Sequence, residues 1–160
     1  MKRILSLIIL LFCQYLTSQT VIPFEKKGVI FSDKYEFYMF NDLKRFTPTL
    51  AEIKELERLL SQQIKVINQR KPNQNHQPLI HRNLGKYKRQ YIGYYNEKGE
   101  CIIYINFLWK GYEDHNLDGN KIEPWKIEWL QIFDGGSHYW QIKYYTELKM
   151  FFDFSVNGVA

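Results

Sequence analysis

The chain has 160 residues and a formal charge of +5 at pH 7, from 22 Lys and Arg against 17 Asp and Glu. It holds only two cysteines, and the first, Cys13, falls in an N-terminal leader, so an intramolecular disulfide is excluded once that leader is removed. No internal repeat, low-complexity tract or second-domain linker is present, which argues for one domain stabilised by its own core.

Met1-Lys2-Arg3 precedes an apolar run from Ile4 to Phe12 that only Ser6 interrupts, and a polar stretch, Thr17-Ser18-Gln19-Thr20, follows. A basic start, a short apolar region and small polar residues are the parts of a secretory signal peptide. The run is shorter than the ~20 apolar residues a membrane-crossing helix needs. Cleavage is expected after Ser18, leaving residues 19–160 as a single α+β domain in the periplasm or outside the cell. A lipid anchor on Cys13 is disfavoured, because Phe12 stands where that processing resembles a pathway requiring a small residue.

Residues 19–27 read as a lead-in. Gly28–Phe31 and Tyr35–Phe40 read as two short strands of an N-terminal hairpin. A helix is predicted from Pro48 to Asn68, because Leu50, Ile53, Leu56, Leu60, Ile64 and Ile67 recur every three or four residues. Thr47 offers an N-cap with Pro48 at the first helical position, and Thr49 with Glu52 offers a competing capping box. Residues 69–85 read as an exposed loop from which Leu79, Ile80 and Leu84 dip toward the core.

Strands are then expected over Lys86–Tyr95 and Glu100–Leu108 around the turn Asn96-Glu97-Lys98-Gly99, over Trp125–Phe133 and His138–Tyr145 around Asp134–Ser137, and over Met150–Phe154. The expected fold is one long helix packed on a curved antiparallel sheet of about five strands, with an extra N-terminal hairpin. A helix followed by such a meander resembles the cystatin-like and NTF2-like architectures in element order. The stretches Phe46-Thr-Pro-Thr49, Tyr87-Lys-Arg-Gln-Tyr-Ile-Gly-Tyr94, Asp134-Gly-Gly-Ser-His-Tyr-Trp-Gln-Ile-Lys-Tyr144 and Phe151-Phe-Asp-Phe-Ser-Val-Asn-Gly158 resemble uncharacterised small exported bacterial proteins. That resemblance implies export and a compact domain, and brings no catalytic residues with it.

Charge is polarised. Arg58 to Asn96 carries eight basic and no acidic residues, whereas Glu97 to the end carries six basic and ten acidic. Such a segment either steers anionic partners or serves as solvated surface. The candidate partner contacts are Arg82, Lys86, Lys88 and Arg89, with Tyr87 and Tyr91 beside them. Asp114, Asn116 and Asp118 alternate ahead of Gly119 like the first half of a calcium loop, although Trp125 occupies the position where a full loop places a bidentate Glu. They are candidate calcium ligands; the competing reading is a polar inter-strand loop. No histidine pair has helical zinc-site spacing. Asp134-Gly-Gly-Ser137-His138 gathers triad residue types, but adjacent glycines read as a turn.

Cys101 is read as a buried thiol in a strand. Twenty-five of the 27 aromatic residues follow the leader, too many for one sheet face, and either some are exposed for contact with a partner or both faces are packed. These features favour an exported, non-enzymatic binding protein, an inhibitor or envelope-associated module, engaging a protein or anionic polymer as a monomer or weak oligomer. The competing readings are a small hydrolase or sugar-binding protein using a pocket between sheet and helix, and an oligomer formed through an aromatic sheet face. Nucleic acid is a poor partner for an exported chain.

Overall fold

The computed structural model describes residues 21–40, 42–110, 114–115 and 119–159, and the predicted leader lies outside them. Strand β1 (Val21–Phe24) turns through Glu25, at φ +52°, into β2 (Gly28–Phe31). After the two-residue β3 (Arg45–Phe46) comes helix α1 (Leu50–Ile67), then a single helical turn at Ile80–Asn83. The long hairpin β4 (Tyr87–Tyr95) and β5 (Cys101–Trp109) follows. Two-residue strands β6 (Asp114–His115) and β7 (Lys121–Ile122) pair with each other, and β8 (Tyr139–Tyr145) and β9 (Met150–Val156) close the chain.

The main sheet has seven strands in the order β1-β2-β4-β5-β8-β9, with β3 also paired to β4. It is mixed. β2 runs parallel to β4, pairing Gly28 with Arg89 and Phe31 with Ile92, whereas the other pairings are antiparallel. The expected wholly antiparallel sheet of about five strands is corrected on both counts. Parallel neighbours need a crossover, and α1 supplies it between β2 and β4. The N-terminal hairpin exists but one strand earlier than expected. Residues 21–24 pair with 28–31, while Tyr38–Phe40 form a 3-10 turn whose Phe40 ring packs on the sheet and whose Tyr38 is exposed.

Helix α1 forms where the periodicity places it, and the competing caps resolve in favour of Thr49. Its hydroxyl accepts from the Glu52 N–H at 3.2 Å, and the Thr49 N–H donates to Glu52 Oε2 at 2.7 Å. Thr47 instead donates to Asp33 Oδ1 at 2.8 Å. Ile53, Leu56, Leu60 and Ile64 are buried against Tyr91, Ile103, Ile105 and Ile142 from three strands. Each such side chain contributes about 2 kcal/mol of hydrophobic stabilisation. Leu50, assigned to the stripe by spacing, stands half exposed beyond the sheet.

The opposite sheet face is also covered. Val29, Phe31, Ile92 and Leu108 pack there against Phe37 and Trp125, with Trp129, Leu130 and Ile132 at the margin. The covering segment, residues 125–133, was expected to be a strand and is not one. It is a strap without ladder partners, whose backbone groups are met by amide side chains on the sheet. Buried Gln90 donates from Nε2 to the Trp125 and Glu128 carbonyls at 2.8 and 2.7 Å, and its Oε1 accepts from the Leu130 N–H at 3.1 Å. Asn106 donates to the Leu130 carbonyl at 2.7 Å, and Asn157 donates to the Ile132 carbonyl at 2.5 Å. Gln90, Asn106 and Gln141 share a register across β4, β5 and β8; the first two hold the strap directly, and Gln141 braces Asn106 and Asn157.

Both edges of the sheet are irregular. Pro23 sits in β1, and β9 carries Asp153 at φ +49° beside a register shift opposite Gln141 and Lys143. At the centre, Gly93 is required by close approach, since a Cβ there would lie 2.7 Å from the Phe46 carbonyl oxygen.

Candidate functional site

The basic segment does not form one patch. Alternation along β4 sends Tyr87, Arg89 and Tyr91 toward α1 and Lys88 to the other face. Tyr87 and Tyr91 are wholly buried: the Tyr87 hydroxyl donates to the Ser137 carbonyl at 2.7 Å, and the Tyr91 hydroxyl donates to Glu57 Oε1 at 2.8 Å. Burial, with Glu57 adjacent, pushes the Tyr91 hydroxyl well above the usual phenol range. Neither ring is open to a partner. Lys86 stands exposed beside Trp109, Lys88 lies by the Trp125 ring, and Arg82 is exposed on the helical turn.

Arg89 lines a cavity. Its guanidinium pairs with Glu57 at 3.0 Å and donates to the Tyr87 and Leu84 carbonyls at 2.6 and 3.0 Å. This buried fork is the floor of a cleft of about 570 Å3 between the β1–β2 turn, α1 and Gly85. The turn contributes Glu25, Lys26 and Lys27, and α1 contributes Lys54 and Glu57. The Lys27 ammonium donates to the Gly85 carbonyl and ties the turn to the segment preceding β4. Four cations thus meet two carboxylates, and Glu57 is already committed to Arg89 and Tyr91. Lys26 and Lys54 make no ion pair among the described residues.

Sequence reasoning missed Lys26, Lys27 and Lys54 because they lie outside the basic segment. Only the parallel β2–β4 pairing brings the β1–β2 turn beside Arg89; indeed the Arg89 N–H donates to the Lys27 carbonyl at 2.7 Å. A β1–β2 hairpin recognised at residues 21–31 would have placed three consecutive charged residues at its turn, which is the one signal available.

Of the calcium candidates, Asp114 pairs with Ile122 through the backbone, while Asn116 and Asp118 fall outside the described residues. Among the described residues, no cluster of three or more His, Cys, Asp or Glu side chains could hold a metal ion. Gly136–His138 folds as a 3-10 turn with Gly135 and Gly136 at positive φ, not as the expected hairpin turn, since no strand precedes it at residues 125–133. The buried Ser137 hydroxyl donates to the Pro78 carbonyl at 2.7 Å, and His138 Nδ1 lies 3.0 Å from the Gly135 carbonyl, so the two side chains are separately engaged. Cys101 is half-buried, and burial, followed by Glu147, raises its thiol pKa.

Residues 69–85 are more ordered than an exposed loop. Asn68 and Gln74, both buried, exchange amide hydrogen bonds of 2.9 and 2.5 Å, and Gln74 Oε1 also accepts from the Ile80 N–H. Asn68 Nδ2 lies 3.1 Å from His81 Nδ1. Ile80 is fully buried and Leu79 and Leu84 are half-buried, as their apolar character suggested.

No helix among the described residues is long and apolar enough to cross a membrane. No family model matches the chain, and neither a curated protein nor a solved structure matches it.

Proposed function

We propose that this chain is an exported, non-enzymatic binding protein whose cleft at the β1–β2 turn engages an anionic partner, a polymer or an acidic protein segment. The carrying observation is the convergence of Lys26, Lys27, Lys54 and Arg89 on one cavity that supplies only Glu25 and Glu57 as counter-charges. Arg89 is held in place by its two carbonyls and Glu57, so it sets a fixed positive floor. Lys26 and Lys54 stand exposed at the rim, where long side chains can close on a ligand. Charge arranged in this way steers association more than it fixes affinity.

An inhibitor or envelope-associated module is the role that fits this reading. The cystatin-like or NTF2-like comparison draws support from one long helix preceding the antiparallel run β4-β5-β8-β9. A hydrolase or sugar-binding pocket between sheet and helix finds less support, because Ile53, Leu56, Leu60 and Ile64 fill that space against the sheet. The aromatic surplus carries less weight than the cleft, since Trp125 and Trp140 are buried and both faces of the sheet are packed.

Retention on immobilised polyglutamate and polyphosphate tests the proposal. The wild type is expected to bind and to elute with salt. A Lys26→Glu, Lys54→Glu variant should pass through, whereas a Lys98→Glu, Lys110→Glu variant of equal net charge should still be retained. Equal retention of both variants would assign binding to net charge alone and overturn the cleft.

A further inference from the structure

A second cavity, of about 290 Å3, lies beside the strap on the sheet face opposite α1. None of its lining residues is charged, in a chain of which 24% is charged. It is lined by aromatic rings, Tyr104, Trp129 and Phe133, and by the amides Gln131, Gln141 and Asn157. We propose that this groove binds a neutral oligosaccharide, independently of the basic cleft.

The chemistry of each wall points the same way. Sugar rings have an apolar C–H face that lies against aromatic rings and an equatorial fringe of hydroxyls that both donate and accept. Phe133 is 78% exposed, a large apolar ring held at the groove's edge with nothing covering it. Trp129 also lines the groove and is fixed: its ring stacks on Tyr104 at 5.5 Å and packs edge-on against Phe31, while its backbone N–H donates to the Tyr35 hydroxyl at 3.0 Å. Amides match hydroxyls because each carries both donors and an acceptor. Gln141 donates from Nε2 to Asn106 Oδ1 and Asn157 Oδ1, at 3.3 and 3.2 Å. Its carbonyl oxygen is left without a partner among the described residues, in an orientation those two bonds fix. Ser155, exposed on β9 in register with Gln141, adds a hydroxyl.

Size and charge select among ligands. A cavity near the lower end of small-molecule sites admits one or two sugar rings and is too small for a protein-sized contact. With no cation in its lining, it has nothing to offset the desolvation of a carboxylate or phosphate. A ligand bound here should therefore be uncharged. The rigid rings and braced amides mean that little ordering is required on binding.

The test is titration of the purified protein with maltohexaose, cellohexaose, chitohexaose and xylohexaose, read by calorimetry and by tryptophan fluorescence. At least one sugar should bind, equally in low and high salt. Phe133→Ala, at an exposed position that leaves the circular dichroism unchanged, should weaken binding about fivefold, the equivalent of one lost aromatic contact. The Lys26→Glu, Lys54→Glu variant should bind as the wild type does, which separates this groove from the cleft. Absence of binding to all of these sugars at ~10 mM, an affinity of about −3 kcal/mol or weaker, would overturn the proposal. So would binding that fell with salt, or binding that both Phe133→Ala and Gln141→Ala left intact.

Discussion

Replacing Gln90 with leucine removes the principal fastening of the strap at little change in volume. Four groups lose a partner: the Trp125 and Glu128 carbonyls, the Leu130 N–H and the Asn106 amide. Glu128 is exposed, so its carbonyl regains water, and Asn106 keeps the Leu130 carbonyl. The Trp125 carbonyl and the Leu130 N–H stay turned toward the sheet, where an unpaired buried group costs ~1–3 kcal/mol. With about 1 kcal/mol recovered from leucine's apolar surface, the net loss is about 3 kcal/mol. That is a large fraction of the ~5–15 kcal/mol that holds a domain of this size. Urea denaturation followed by far-UV circular dichroism measures it. Amide exchange at Leu130 should accelerate beyond the global change, because the strap can lift while the sheet persists. Gln131→Leu, at the exposed neighbouring position, serves as the near-neutral control. A loss below ~1 kcal/mol with Leu130 exchange as slow as in the wild type would refute the claim that side-chain amides hold this segment.

Glu57→Ala leaves the Arg89 guanidinium and the Tyr91 hydroxyl without their shared acceptor and should cost about 3 kcal/mol in urea denaturation, with Glu57→Gln costing less. Gly93→Ala brings a Cβ to 2.7 Å from the Phe46 carbonyl oxygen and should lower stability by about 2 kcal/mol in thermal unfolding, whereas Gly85→Ala, with open space around it, should change little. His81 is depressed below its ordinary value by burial first, with Arg82, Lys71 and Lys65 adding to the shift. The unfolded chain therefore takes up the proton at higher pH than the folded one. Stability is complete above about pH 6.5 and declines as pH falls through that value toward the folded pKa. Urea midpoints at pH 7.5 and 5.0 should differ more for the wild type than for His81→Gln; equal differences would dismiss His81 as a contributor.

Helix α1 and the β4–β5 hairpin were legible because their signals are local: a 3.6-residue apolar period with a capping box, and two strands around Asn96–Gly99. The β8–β9 pair was legible for the same reason. The N-terminal hairpin was displaced because Tyr35–Phe40 has the aromatic content of a strand, while residues 21–24 form one despite holding Pro23, a residue that cannot donate to a ladder. Its parallel docking on β4 is a long-range choice that no local pattern encodes. Residues 125–133 mimic a strand in composition, and what distinguishes them lies elsewhere in the chain. Gln90 and Asn106 are polar residues inside otherwise buried strands, and such residues demand partners. The cleft was half legible: Arg89 belongs to the basic segment, but the β1–β2 lysines reach it only through the fold. The groove at Gln141 and Phe133 left no mark in spacing, because β5, β8, β9 and the strap build it jointly.

The two sheet edges have a consequence for how this domain can recruit anything. A neighbour adding a strand needs an uninterrupted row of outward N–H and C=O groups. At β1 it meets a proline that donates nothing, and at β9 it meets a kink at Asp153 that breaks the row. Backbone templating is thereby blunted on both flanks, which also limits stacking of copies into fibrils. Any partner of this domain would have to be met by side chains rather than by an added strand.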